Sequence, residues 1–74
     1  MNTMSVDGDG DVTFHPPDPD REAKANLEYW EWALLNVREL ERQVELGYLP
    51  FRATINLMNA RRHCSDQLTL ADQR

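Results

Sequence analysis

The chain has 74 residues, a formal net charge of −5 and a single cysteine, Cys64. This length allows one small domain, and a lone cysteine excludes an internal disulfide. No apolar run approaches the roughly 20 residues that a membrane-spanning helix needs, and the N-terminus has neither a basic region nor an apolar signal core. Composition therefore predicts a small protein of the cytoplasm. A free thiol persists in that compartment because it is reducing.

Charge divides the chain into two parts. The first twenty residues contain five aspartates and no lysine or arginine, whereas residues 21–74 contain eight basic and eight acidic side chains. The front part has too little apolar surface to offset the entropy of ordering it. We therefore predict a disordered acidic arm over 1–17 and a helical domain over 18–72. The expected fold class is all-α, either a helical hairpin or a small helical bundle.

Two features of the arm suggest binding. The run Asp7-Gly8-Asp9-Gly10-Asp11 has the carboxylates of a calcium loop. A loop starting at Asp7 nevertheless has Val12 where an EF-hand needs glycine and Asp18 where it needs a bidentate glutamate, so we expect no metal site. The alternation of Val12 and Phe14 around Thr13 leaves two interpretations open. The segment adds as a strand to a partner's sheet, or Phe14 folds back onto the chain's own helices.

The first helix is predicted over about 19–46. Asp18 is a suitable cap, Pro19 fits the first turn, and Gly47 is placed where a helix ends in a left-handed residue. One apolar face recurs at helical spacing and comprises Ala23, Leu27, Trp30, Leu34, Val37 and Val44. Trp32 and Leu35 lie outside that face. They form either a partner-binding or self-association patch, or core that another segment covers.

A turn at 47–50 leads to a second helix over about 50–64. It has two apolar stripes, one of Phe51, Ile55 and Met58, and one of Ala53, Leu57, Ala60 and Cys64. We expect the first stripe to close the core, in a helical hairpin packed through Trp30, Leu34, Val37, Phe51, Ile55 and Met58. Beyond Cys64, the residues Ser65-Asp66 start a short third helix over 66–72, or the second helix continues.

Basic residues mark one side of the second helix. Arg52, Arg61 and Arg62 fit a helix-turn-helix DNA reader, but the first helix is too long and its end lacks the small residue such a motif packs. Direct nucleic-acid binding is therefore not the favoured interpretation. The same arginines are suited to acidic groups, and one acidic candidate is the chain's own arm, as an intramolecular cover.

The residues contain no catalytic constellation. His15 and His63 are far apart in sequence, and His63 and the adjacent Cys64 point to different sides of a helix, so they form no ligand set. No glycine-rich phosphate loop and no nucleophile with a base is present. We expect no enzyme activity and no cofactor. The candidate partner-binding residues are Phe14, Trp32, Leu35, Arg52, Arg61 and Arg62.

The whole-chain layout carries a resemblance. It combines an acidic arm, Asp18-Pro19-Asp20 before a Trp-rich helix, a Gly47-Tyr48-Leu49-Pro50 turn and an arginine-bearing second helix. This layout resembles the small phage-encoded inhibitors of bacterial RNA polymerase, such as the transcription regulator of a phage that infects Xanthomonas. The resemblance implies binding to host RNA polymerase, inhibition of initiation by interference with the σ factor, and antitermination. The alternatives are a self-associating helical adaptor that forms a homodimer, and a DNA-binding regulator.

Overall fold

A computed structural model describes residues 2–73 and consists of a β-hairpin packed on two antiparallel helices. The hairpin has strands β1 (Thr3–Val6) and β2 (Val12–His15). A 3₁₀ turn (Ala23–Asn26) leads directly into α1 (Leu27–Glu45), and α2 spans Ala53–Asp72. The prediction of an all-α fold is therefore wrong, because the chain is α+β. Met1 and Arg74 lie outside the described residues.

The hairpin occupies the segment for which we predicted a disordered arm. Its strands are antiparallel, with Met4 opposite Phe14 and Val6 opposite Val12, so these four side chains share one face. Met4, Val12 and Phe14 pack against the helical core. A two-stranded hairpin is marginal by itself, and the apolar contacts with the helices supply the burial that composition alone did not reveal.

The aspartate-rich run forms the hairpin loop. The carboxylate oxygen Oδ1 of Asp7 accepts hydrogen bonds from the backbone N–H of Asp9 at 2.9 Å and of Asp11 at 3.0 Å. Gly10 has a φ of 78°, a left-handed conformation that glycine adopts without steric cost. The Asp7 side chain therefore orders the loop by accepting hydrogen bonds from the loop's backbone N–H groups, as aspartate does in tight turns.

The first helix begins later than the sequence predicts. We expected a start near 19 with Asp18 as the cap, but α1 begins at Leu27. The buried side chain of Asn26 explains the difference, because it accepts a hydrogen bond from the N–H of Asp18 and donates to the carbonyl oxygens of Asp18 and Glu22. These bonds hold residues 18–22 in a loop folded around the amide instead of a helical turn.

The core lies between the helices and involves the second stripe of α2, not the first. The residues buried most deeply in the domain are Tyr29, Ala33, Val37, Ala53, Leu57 and Cys64, all at 1% exposure or less. Phe51, Ile55 and Met58 are 86%, 70% and 44% exposed, so the predicted core was placed on the wrong face of α2. Small residues explain the choice, since Ala53, Ala60 and Cys64 let the helices approach closely, which large side chains would prevent.

The C-terminal end of α1 follows the local sequence more closely than its beginning does. Gly47 has a φ of 85°, and the N–H groups of Gly47 and Tyr48 donate to the carbonyl oxygens of Val44 and Gln43. This is a Schellman motif, and it confirms the expected role of Gly47. Beyond Cys64 the second helix continues without a break to Asp72, so no separate third helix forms at 66–72.

Candidate protein-binding surface

Phe14 is part of the folded domain. Its ring lies 5.2 Å from the ring of Trp30 in an edge-on arrangement and 5.4 Å from the ring of His63, on which it stacks. Such aromatic pairs contribute about 0.5–1.5 kcal/mol beyond the area they bury. Of the two interpretations of Phe14, the structure has the one in which it folds back onto the chain's own helices.

The two residues of the predicted Trp32–Leu35 patch differ in burial. Trp32 is half-buried, packs against the core and lies 5.7 Å from the ring of Tyr29. Leu35 is 65% exposed, and its neighbours three or four positions away on α1 are Glu31, Trp32, Arg38 and Glu39. Trp32 therefore contributes to the core, and Leu35 stays a candidate partner-binding residue on the exposed surface of α1.

Arg52 is bound by the hairpin loop. Its Nε lies 2.6 Å from Oδ1 of Asp9, and the side-chain amide of Asn56 donates to the Asp9 carbonyl oxygen at 2.9 Å. Both charged side chains are more than half exposed, so the ion pair contributes no more than about 1 kcal/mol. The acidic segment nevertheless covers part of the basic side of α2, as the intramolecular interpretation of the arm requires.

The other two predicted arginines border an open groove between the helices. Its lining residues are Leu34 and Arg38 of α1 and Met58, Arg61, Arg62, Ser65 and Asp66 of α2, around a volume of about 430 Å³. Nε of Arg61 lies 3.4 Å from Oε1 of Glu41. Arg38 and Arg62 pair with no carboxylate among the residues that the structure describes. The lining of the groove therefore combines two apolar side chains with three arginines and one aspartate.

Three apolar side chains that the sequence placed in the core are exposed in the structure. Ile55 and Met58 lie on the side of α2 opposite its buried residues, and Phe51, just before the helix begins, continues the same spacing. We call these three residues the outer stripe. Tyr48, in the connector between the helices, is also exposed, at 77%. The two stripes of α2 were the available signal, because only one of two opposed faces contacts the core of a two-helix domain.

The titratable groups in the core are suited to structure more than to chemistry. Burial raises the pKa of the Cys64 thiol to about 11, so the thiolate needed for nucleophilic attack is scarce near neutral pH. Burial also raises the pKa of Tyr29. Within residues 2–73, no three histidine, cysteine or acidic side chains are grouped where a metal ion would bind.

Comparison with known proteins adds no relatives. The chain matches no protein-family model, no curated protein and no solved structure. Neither of the two long helices combines the length and apolar character that crossing a bilayer requires. The surface itself, with the outer stripe and the adjoining groove, therefore carries the functional argument.

Proposed function

We propose that this protein is a non-catalytic binding protein of the host bacterial cytoplasm that binds RNA polymerase. By this proposal it inhibits transcription initiation by interfering with the σ factor and has antitermination as a second activity. The support for polymerase as the target is the resemblance in layout to small phage-encoded inhibitors. The support for a binding role is physical and comes from α2.

The observation that carries the binding role is the outer stripe. Phe51, in the turn just before α2, is 86% exposed, and Ile55, in the first turn of α2, is 70% exposed. Full burial of such a side chain is worth roughly 1.5–3 kcal/mol, and the fold gains almost none of this. Aromatic side chains in a contiguous apolar patch are enriched among the residues that dominate binding energy. A partner protein that covers the stripe would recover that free energy.

Self-association is the second candidate, because the outer stripe of one copy is itself a suitable apolar surface for the stripe of another. An isologous pair of α2 helices would bury Phe51 and Ile55 from both copies. DNA binding is less favoured, since the net charge is −5 and two of the predicted arginines already face carboxylates at Asp9 and Glu41.

Abortive transcription with purified bacterial RNA polymerase and σ factor tests the proposal. The wild-type protein should suppress abortive products and co-elute with polymerase on a sizing column. The double variant Phe51→Ser/Ile55→Ser should lose both effects while circular dichroism shows unchanged helicity, because neither side chain supports the core. Leu70→Ser is the matched control, since Leu70 is an exposed leucine near the other end of α2.

Three outcomes separate the candidates. Loss of inhibition in the double variant, with Leu70→Ser active, supports polymerase binding through the outer stripe. A dimeric mass in solution that the double variant converts to a monomer, with no effect on transcription, supports the self-associating adaptor. Unchanged initiation at severalfold excess of wild-type protein, with no complex with polymerase, contradicts the proposed function.

A further inference from the structure

The two sides of the helix pair differ in what covers them. With about 3.6 residues per turn, Asn56 and His63 lie on one flank of α2, and Arg61 and Ser65 lie on the other. The hairpin covers the first flank, where Phe14 stacks on His63 and Asn56 bonds to the loop. No hairpin residue lines the groove on the second flank. The hairpin therefore fills one side of the helix pair and leaves open the groove that Leu34 and Met58 line.

The side that the hairpin fills indicates what chemistry this helix pair binds. The hairpin places apolar side chains, Val12 and Phe14 among them, against the helices and one carboxylate, Asp9, against Arg52. The open groove has the same two components on its own side. Leu34 and Met58 supply apolar surface, and Arg38 and Arg62 supply positive charge with no carboxylate partner among residues 2–73.

We infer that the open groove between α1 and α2 binds an amphipathic helix of a partner protein that carries carboxylates beside its apolar face. The inference rests on the proposed function, because it names the kind of segment that the outer stripe and groove accept. The partner helix packs along α2, covers Ile55 and Met58 with its apolar face, and places its carboxylates at Arg38 and Arg62. The product is a three-helix arrangement with the hairpin on its far side.

Charge and polarity distinguish this ligand from nucleic acid. The groove that contains Arg38 and Arg62 also contains Asp66, and Arg61 already faces Glu41. These carboxylates oppose a phosphate backbone, whose binding depends on a continuous basic surface. Leu34 and Met58 offer nothing to a phosphate but pack well against leucine or isoleucine. A helix with a narrow apolar face and two carboxylates matches the two apolar side chains and the two unpaired arginines of the groove.

Titration of the isotope-labelled protein with a synthetic peptide tests the inference without polymerase. The probe is an amphipathic peptide of about four helical turns with leucines on one face and glutamates beside them. Its twin has every glutamate replaced by lysine. We expect amide shifts at Leu34, Met58 and Arg62 with the glutamate peptide, and at least about tenfold weaker binding of the lysine twin.

Charge reversal in the protein is the second part of the test. Arg38→Glu and Arg62→Glu should each weaken the glutamate peptide about tenfold and reverse the preference between the two peptides. Arg42→Glu is the control, because it makes the same charge change on α1 outside the groove. Equal binding of both peptides, shifts confined to other surfaces, or no shifts up to about 1 mM peptide would overturn the inference.

Two further results would also overturn it. A short DNA duplex that shifts the same residues, with affinity that falls steeply with salt, would assign the groove to nucleic acid. Peptide-independent shifts that grow with protein concentration would assign it to a second copy. Because the probe is a peptide, the inference stands or fails separately from the polymerase assay. Inhibition of initiation without peptide binding would leave the proposed function intact and reject only the inference that the groove binds an amphipathic helix.

Discussion

The replacement of Tyr29 by phenylalanine tests how the hairpin is held on the helices. Tyr29 is 1% exposed, and its hydroxyl accepts a hydrogen bond from the N–H of His15 and donates one to the carbonyl oxygen of Thr3, both at 2.7 Å. Thr3 and His15 are opposite each other at the open end of the hairpin. The hydroxyl therefore connects both strands to α1. Phenylalanine keeps the ring, with its edge-on contact to Trp30, and removes only this bridge.

The expected cost follows from these two bonds. Each is worth about 0.5–1.5 kcal/mol net, and the bonded groups of Thr3 and His15 lose their partner together. Both residues are exposed, so water replaces part of what is lost. We expect Tyr29→Phe to lower the free energy of unfolding by about 1–2 kcal/mol, which for a domain of this size lowers Tm by about 4–16 °C.

Urea denaturation followed by tryptophan fluorescence measures the change, and amide exchange at His15 reports on the hairpin itself. His15 should lose protection in the variant. Tyr48→Phe is the control, because Tyr48 is exposed in the connector and should stay within about 0.5 kcal/mol of wild type. If Tyr29→Phe unfolds at the same urea concentration as wild type, with His15 unprotected in both, the hairpin is not docked and the reasoning fails.

Three more outcomes are expected. Gly10→Ala should destabilise the domain by more than about 1 kcal/mol in urea, because the residue has a φ of 78° and its new Cβ would lie 2.7 Å from the Cβ of Ala53. Gly8→Ala is the control, since a Cβ at Gly8 has no neighbour within 4 Å. Equal effects of the two substitutions would contradict the contact with Ala53. Leu57→Ala should cost about 2–5 kcal/mol, and Ile55→Ala under about 0.5; the reverse order would place the core on the outer stripe. Cys64 should resist alkylation at pH 8 until urea exposes it, because its pKa is raised to about 11 by burial. The protonated thiol stabilises the fold, so stability should fall as pH rises from about 9 towards 11; rapid alkylation of the folded protein would contradict this burial.

Local sequence predicted the helices better than their packing. The 3.6-residue pattern in α1 correctly marked Trp30 and Val37 as buried, and Gly47 marked its end. In α2 the pattern was ambiguous, because two opposed stripes have nearly the same apolar content. Hydrophobicity favoured the larger side chains of Phe51 and Ile55, whereas packing at short helix separation favoured Ala53 and Ala60. Periodicity contains no information about that separation.

The residues of the candidate site were likewise predicted only in part from the sequence. Arg62 was predicted as a binding residue and lies at the open groove, but Phe14 and Trp32 pack within the fold. Arg38, which also lines the groove, looked like ordinary helix surface in the sequence. Its role appears only when α2 brings Arg62 to the same groove. No signal within α1 alone would have identified it.

The sequence by itself determined the features that depend on neighbours within a few residues. These are the two helices, the left-handed end at Gly47, the concentration of acidic charge in the first twenty residues and the presence of two apolar faces on α2. Only the tertiary structure decided that residues 3–15 form a hairpin and that the outer stripe faces away from the core. The physical reason is that both outcomes depend on surface supplied by distant parts of the chain. The hairpin gains its burial from helices that follow it, and α2 selects its buried face by the fit against α1.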